Sequence, residues 1–192
     1  MVIGDCAVGI DIGGTRIKSG VVNADGTLAF SRVDSTDPYE EPGSLLDRLF
    51  TIVEKISLEA QTLDSGLNIR GIGLALTGGV DPMRGVVRLP GKLKNFEGYP
   101  LVPQLAEKTG LPVIADNDGR LAMVAERAFG KAREVDWAVC LTIGTGVGSG
   151  VLLGGNVLRD PHHLFGCQVG HFTIEPVGGP LCLTGARGTG EI

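Results

Sequence analysis

Val8-Gly9-Ile10-Asp11-Ile12-Gly13-Gly14-Thr15-Arg16-Ile17-Lys18-Ser19-Gly20-Val21-Val22 reads as an apolar strand that ends on an acidic residue, turns on two glycines and a threonine, and returns as a second apolar strand. Such a turn suits an anion. Glycines let backbone N–H groups approach without interference from a Cβ, Thr15 adds a hydroxyl donor, and Asp11 is placed to hold a metal-bound water beside a polyphosphate. Taken alone, the same pattern also describes an ordinary hairpin with a surface aspartate.

Near the middle, Val139-Cys140-Leu141-Thr142-Ile143-Gly144-Thr145-Gly146-Val147-Gly148-Ser149-Gly150-Val151-Leu152-Leu153 repeats the plan. Moved back by 130 positions, so that 144 falls on 14, the residues Gly144, Thr145, Ser149, Gly150 and Val151 overlay Gly14, Thr15, Ser19, Gly20 and Val21. A duplicated fold leaves turn residues at matching offsets, although a match of this size between glycine-rich hairpins also arises by chance. Two hairpins, one opening each half, are expected to face each other across a cleft and hold a nucleoside triphosphate from both sides.

The composition is that of a globular protein: 192 residues, 43% apolar and 20% charged, enough for one to two domains with buried cores. The net charge of −5 and the scattered basic residues argue against a nucleic-acid partner, which requires clustered Lys and Arg. The N-terminus lacks the basic flank and apolar run of a secretory signal, and no apolar run reaches the roughly 18 residues of a membrane span. Cys6, Cys140, Cys167 and Cys182 have no paired spacing, so reduced thiols in a cytoplasmic protein are expected.

Past the first hairpin, Asp25-Gly26 reads as a turn into a third strand running to about Val33. Ser35 to Gly43 reads as a loop, after which Ser44 is expected to cap a helix whose Leu45, Leu49, Ile52, Val53, Ile56 and Ala60 repeat at helical spacing. Ile69 to Leu76 is a short apolar strand, expected to be covered on both faces, that delivers Thr77-Gly78-Gly79-Val80-Asp81-Pro82 to a strand end. Pro103 to Thr109 makes a helix closed by Gly110, and Pro112 to Ala115 another strand.

That strand leads into Asp116-Asn117-Asp118, just before a helix marked by Leu121, Val124, Ala125, Ala128 and Phe129. Ligands of open α/β sheets gather at the carboxyl ends of strands. Asp118 is the candidate general base, taking the proton from a hydroxyl as it attacks phosphorus, with Asn117 bonding a neighbouring hydroxyl. The alternative is that Asp116 or Asp118 only caps the following helix.

With these residues in view, the chain resembles the glucokinase-like sugar kinases of the ROK family (repressors, open reading frames and kinases), within the actin, Hsp70 and hexokinase superfamily. The resemblance runs from Val8 to the end. It passes through Asp11-Ile12-Gly13-Gly14-Thr15, Gly71-Ile72-Gly73 with Gly79-Val80-Asp81, Asn95, Asn117-Asp118, Gly144-Thr145-Gly146-Val147-Gly148, Gly170-His171 and Gly190-Glu191. It implies an α/β fold of duplicated ribonuclease-H-like (actin-like ATPase) domains, here 1–115 and 116–192, the second incomplete. It further implies ATP with magnesium on Asp11, Gly13, Gly14, Thr15, Arg16, Thr145 and Gly146, the magnesium held through Asp11 and the nucleotide. A hexose would lie against Gly79, Asn95, Asn117, Asp118, Gln168, His171 and Glu191, with Asp118 as base.

The departures from the family pattern matter too. Gln168 stands where the family usually has the glutamate of Glu-x-Gly-His; an amide still donates and accepts but carries no charge, so the sugar is expected to be held differently or more weakly. Arg16 stands where lysine is frequent, and Gly78 replaces a common proline, loosening its loop. Most members bind a structural zinc through the histidine and three cysteines of Cys-x-Cys-Gly-x-x-Gly-Cys-x-Glu. Here Cys182-Leu183-Thr184-Gly185-Ala186-Arg187-Gly188-Thr189-Gly190-Glu191 has threonine at two of the three cysteine positions. A neutral hydroxyl is a poor substitute for a thiolate, so no zinc is expected, Cys182 and His171 being remnants. His162 and His163 read as solvated loop residues.

The resemblance also implies about another hundred residues in a complete member, so the chain is expected to stop within its second domain, leaving an open sheet edge and its activity alone in doubt. With seven residues before Val8, the DNA-binding segment of the family's repressors is not expected, while an inactive sugar-binding relative and a superfamily ATPase without a sugar substrate remain alternatives. The choice of hexose or N-acetylated sugar and of ATP or polyphosphate stays open. So does oligomeric state, a homodimer being the common default.

Overall fold

The computed structural model describes residues 4–64, 66–89, 93–144, 146–160, 168–182 and 185–190. The chain divides into two compact units, Met1–Asn117 and Asp118–Ile192.

In the first unit, strands β1 (Gly4–Ile12), β2 (Arg16–Asn23) and β3 (Leu28–Ser35) form an antiparallel meander, followed by helix α1 (Pro42–Leu63) and strand β4 (Leu67–Leu76). A small hairpin of β5 (Gly79–Asp81) and β6 (Val86–Leu89), helix α2 (Leu101–Thr109) and strand β7 (Val113–Asn117) complete it. The five-stranded sheet runs β3-β2-β1-β4-β7, with β4 parallel to β1 and β7 parallel to β4. The β2–β3 turn closes through Asp25 Oδ1, which accepts from the Thr27 N–H at 2.9 Å, while Gly26 takes a φ of 86° that favours glycine. Alternation along β1 sends Cys6, Val8, Ile10 and Ile12 to one face. There they are buried with Ile17, Val21, Ile72, Leu74 and Leu76 against the α1 stripe Leu45, Leu49, Ile52, Val53, Ile56 and Ala60.

Helix α1 starts at Pro42 with Glu41 as N-cap and no side-chain cap bond. Proline pre-sets the first helical φ and lacks the N–H that would need a partner, so the helix begins two residues before Ser44, whose hydroxyl instead donates to Glu40 Oε1 at 2.9 Å. Strand β4 is buried on one face only: Ile72, Leu74 and Leu76 are inside, whereas Gly71, Gly73 and Ala75 are half-buried. A Cβ at Gly9 or Gly73 would meet nothing within 4 Å, so that side of the sheet is open there. The α2 helix gains an extra turn residue pair at its start and ends on Gly110 at φ 67°, the left-handed cap expected of it.

In the second unit, helix α3 (Asp118–Phe129) precedes the antiparallel sheet of β8 (Trp137–Ile143), β9 (Val147–Leu153) and β10 (Asn156–Val157), in the order β10-β9-β8. Met123 packs with Ala132 and Leu152, against which Ala138, Cys140 and Val157 lie half-buried. The helix approaches the sheet closely because both contact points lack a side chain: a Cβ on Gly119 would sit 2.5 Å from the Ser149 carbonyl oxygen, and one on Gly150 2.4 Å from the Gly119 carbonyl oxygen. Beyond β10, a short 3₁₀ turn (Val169–His171) and the bridges Thr173 to Thr189 and Leu181 to Arg187 organise the described part of the C-terminal segment.

The division falls after Asn117 rather than after Ala115, because Asp116 and Asn117 are still laddered to Ala75 and Leu76. Ile12 pairs with Ile17 and encloses four residues, 13–16; Ile143 pairs with Val147 and encloses three, 144–146. The return strands match at an offset of 130 (17 to 147) but the leading strands at 131 (12 to 143), since the second turn is one residue shorter.

Candidate functional site

Because β1, β4 and β7 run in parallel, their carboxyl ends lie along one edge of the first sheet, and the Gly13–Arg16 turn, the Thr77–Gly79 segment and Asn117 stand on those ends. Asp11, one residue before the end of β1, is paired directly across the ladder with Lys18, whose Nζ lies 3.6 Å from its Oδ2; both side chains are substantially exposed. Lys18 was not singled out in the sequence, yet it adds a cation beside the turn; the signal was its two-residue spacing from Arg16 in a strand whose alternate residues are buried. The Gly13 N–H donates to the Arg16 carbonyl at 3.0 Å, and the Gly144 N–H likewise to the Gly146 carbonyl, so in each hairpin the first glycine's amide closes the turn. Gly14 is half-buried and Thr15 and Arg16 are exposed; the Thr15 carbonyl accepts from the Thr36 N–H at 3.0 Å, tying the turn to the end of β3.

Asn117 is half-buried, and its Nδ2 donates to the Gly78 carbonyl at 3.0 Å, fixing the end of β7 to the loop after β4. Gly78 has φ 88°, which proline, locked near −65°, does not reach. Gly78 thus takes a conformation closed to proline, and its carbonyl is the one Asn117 uses. Gly79 follows, buried, at the start of β5. Asp116 is buried and accepts the Asn117 N–H at 2.8 Å. Asn95 makes its contacts elsewhere: its Nδ2 donates to the Tyr39 carbonyl at 3.0 Å and reaches Glu41 Oε1 at 3.4 Å, so it braces the loop before α1.

In the second unit, Asp118 is the first residue of α3, and its Oδ1 accepts the Gly119 N–H at 2.8 Å. That bond holds one carboxylate oxygen against the backbone of the first turn of α3. Gly119 backs onto the Ser149 main chain, and Ser149 Oγ accepts the Val169 N–H at 3.2 Å. Ser149 thus anchors both the start of α3 and the turn carrying Gln168 and His171, a role its place in the hairpin overlay did not announce. Gln168 and His171 are half-buried, the His171 N–H donating to the Gln168 carbonyl at 3.0 Å. The Gly190 N–H donates to the Phe172 carbonyl at 3.2 Å, which brings the C-terminal loop against this turn. Cys182 is buried, and its N–H donates to the Ala186 carbonyl at 2.8 Å. Cys6 and Cys140 are free thiols; burial pushes both up, with Asp5 and Glu126 adding to the effect. Thr145, Glu191, Cys167, His162, His163 and Thr184 lie outside the described residues. Among the described residues there is no group of three or more His, Cys, Asp or Glu able to hold a metal ion, and no helix long and apolar enough to cross a membrane.

Comparison with known proteins identifies the lineage. The ROK family profile matches residues 7–191. This chain belongs to the ROK family. It is 31% identical over 181 residues to a glucokinase of Thermotoga maritima, covering 94% of this chain and 54% of that protein. The structure of a ROK family glucokinase from Streptomyces griseus, in complex with glucose and AMPPNP, aligns with 96% of this chain and 55% of its own, at TM-score 0.77 and 28% identity. A ROK family transcriptional regulator, homologous to the Escherichia coli MLC protein, aligns with 97% of this chain and 46% of its own, at TM-score 0.81 and 28% identity. The fold is therefore the α/β, actin-like ATPase fold of ROK sugar kinases, and the chain spans about half the length of the relatives it matches.

Proposed function

We propose that this ROK chain carries part of the site of a sugar kinase that transfers the terminal phosphoryl group of ATP to a hexose hydroxyl, with Asp118 as general base. The observation that carries the reading is the gathering of Asp11, the Gly13–Arg16 turn, Gly79 and Asn117 at the carboxyl ends of three parallel strands, with Asp118 the next residue along the chain. The similarity to glucokinases supports it. Asp118 Oδ1, oriented by the Gly119 N–H, takes the proton of the attacking sugar hydroxyl. Asn117, held by the Gly78 carbonyl, binds a neighbouring hydroxyl. Gln168 and His171 would bind further hydroxyls, and Arg16 and Lys18 would face the polyphosphate as point charges beside Thr15 and Gly14.

Magnesium fits the chemistry of the first turn. Asp11 offers one exposed carboxylate, and a hard cation that keeps several waters and takes phosphate oxygens needs no cage of protein ligands. Bound there, magnesium supplies charge neutralisation for the transferring group. Zinc is not part of the proposal, since threonine holds two of the family's cysteine positions.

The test is a coupled assay of sugar phosphorylation across a hexose and N-acetylhexosamine panel, with ATP and polyphosphate as donors, on this chain and on the longest natural product of its gene. Asp118→Asn is expected to lower turnover by about 10²–10⁴-fold while sugar binding persists; retained turnover removes the base assignment. A second reading, sugar binding without turnover, is favoured by Gln168 at the usual glutamate position and by the likeness to a ROK regulator. Saturable sugar binding with no phosphorylation of any panel member would select it.

A further inference from the structure

The described residues between Phe172 and Gly190 fold back on themselves through the main chain. Thr173 bridges to Thr189 and Leu181 to Arg187, and three hydrogen bonds converge on Gly188: its N–H donates to the Pro180 carbonyl at 2.9 Å, while its carbonyl accepts from the Ile174 N–H at 2.7 Å and the Glu175 N–H at 2.9 Å. Arg187 adds a brace, its Nη1 donating to the Gly179 carbonyl at 3.1 Å. Only glycine meets these demands at 188. The residue takes a φ of 57°, a Cβ there would overlap the Glu175 carbonyl oxygen, and a Cβ on Gly179 would stand 2.5 Å from the Gly188 Cα.

This knot reaches the turn that carries Gln168 and His171. The Gly190 N–H, two residues past Gly188, donates to the Phe172 carbonyl at 3.2 Å, and a Cβ placed on Gly190 would stand 3.5 Å from the Gly170 carbonyl oxygen. The Phe172 N–H closes the turn on the Val169 carbonyl at 3.0 Å. Ser149 Oγ therefore pins one end of the turn and Gly190 the other.

The family's zinc does not fit the donors here. Threonine stands at two of the three cysteine positions, and a structural zinc takes thiolate, imidazole or carboxylate rather than a neutral hydroxyl. Thr189 is 1% exposed, and its Oγ1 has no hydrogen-bond partner among the described residues, so its side chain contributes packing and no polar tie. Closing the loop falls to the main chain.

We infer that Gly188 is a positioning residue: the backbone knot centred on it, in place of a metal ion, sets the Gln168–His171 turn against the sugar. The inference rests on the reading of Gln168 and His171 as sugar ligands.

The test compares Gly188→Ala with Gly178→Ala in the longest natural product of the gene. Gly178 has a left-handed backbone too, at φ 80°, but a Cβ there meets nothing within 4 Å, so it reports strain alone. Gly188→Ala is expected to speed hydrogen exchange at the His171 and Phe172 amides and to raise the sugar KM about tenfold, the scale of one or two displaced hydrogen bonds, with kcat and the ATP KM unchanged. Gly178→Ala is expected to leave all four readouts as they were, and 1,10-phenanthroline to leave sugar binding intact. Should Gly188→Ala not fold, Arg187→Met, which removes one brace and no main-chain bond, is expected to raise the sugar KM by about threefold with the same split. Unchanged exchange at His171 and Phe172, an unchanged sugar KM, an equal effect of Gly178→Ala, loss of kcat and ATP binding together with sugar binding in a folded variant, or one equivalent of zinc by elemental analysis each overturns the inference. Failure of the unmodified protein to phosphorylate any sugar removes the kinase reading instead, and the exchange comparison still decides whether Gly188 holds the turn.

Discussion

At the scale of single residues, the first unit contains a hydroxyl that its packing does not use. Ser19 lies on the buried face of β2, between Ile17 and Val21, and its Oγ is buried with no hydrogen-bond partner among the described residues. A buried polar group without a partner costs the desolvation it suffers, so Ser19→Ala is expected to raise stability by about 1 kcal/mol, read as a higher urea midpoint at unchanged slope. The counterpart at 149 is used, since Ser149 Oγ accepts the Val169 N–H, and sequence alone had no means of separating the two serines. The thiols of Cys6 and Cys140 are held above the ordinary cysteine range by burial first. Less thiolate is present at a given pH, so both are expected to alkylate more slowly than a free peptide cysteine at pH 8, as followed by mass spectrometry. The sign for stability follows from the same shift. The folded thiols keep their protons to higher pH than the unfolded ones, so this contribution is complete below the unfolded cysteine pKa and is lost as pH rises through it toward the folded one.

At the scale of elements, the second unit depends on a close approach between α3 and β9 that two glycines permit. Gly150→Ala would put a methyl 2.4 Å from the Gly119 carbonyl oxygen and 2.6 Å from Met123 Cβ. The backbone has to move to admit it, and a loss of about 2 kcal/mol is expected in chemical unfolding of the unit. The displaced helix start would carry Asp118 with it, so the variant is also expected to lose activity in the assay of the proposed kinase. Helix α1 was legible because its stripe has one period and one partner face, whereas its start was misplaced: a proline at the first position of the helix outranks a serine two residues on. Strand β4 was misjudged for a different reason. Its apolar run hides the alternation of large residues with Gly71, Gly73 and Ala75, and only the burial pattern separates the packed face from the bare one.

At the scale of the whole molecule, the described residues of the two units carry unequal cores: those of the first bury a continuous cluster from Cys6 to Ala115, those of the second a smaller one of Met123, Ala132 and Leu152, with Cys182 buried apart from it. Local stability follows buried apolar contact, so amides of β1, β2 and β4 are expected to exchange with solvent slowly and those of β8 fast, measured by hydrogen exchange on the chain alone; equal protection in β1 and β8 would refute that ordering. The sequence by itself determined the two hairpins, the meander, the α1 stripe and membership of a duplicated α/β lineage. Turn glycines, strand alternation and helical spacing are local signals that survive in one dimension. Tertiary structure alone decided that Asn117 is tied to Gly78, that Ser149 anchors both the Asp118 helix and the Gln168–His171 turn, and that the second turn is a residue shorter. It also decided that equivalent rows of β1 and β8 are buried in one unit and bare in the other. Each of these depends on which segments approach one another, and burial is a property of that approach rather than of the residue that undergoes it.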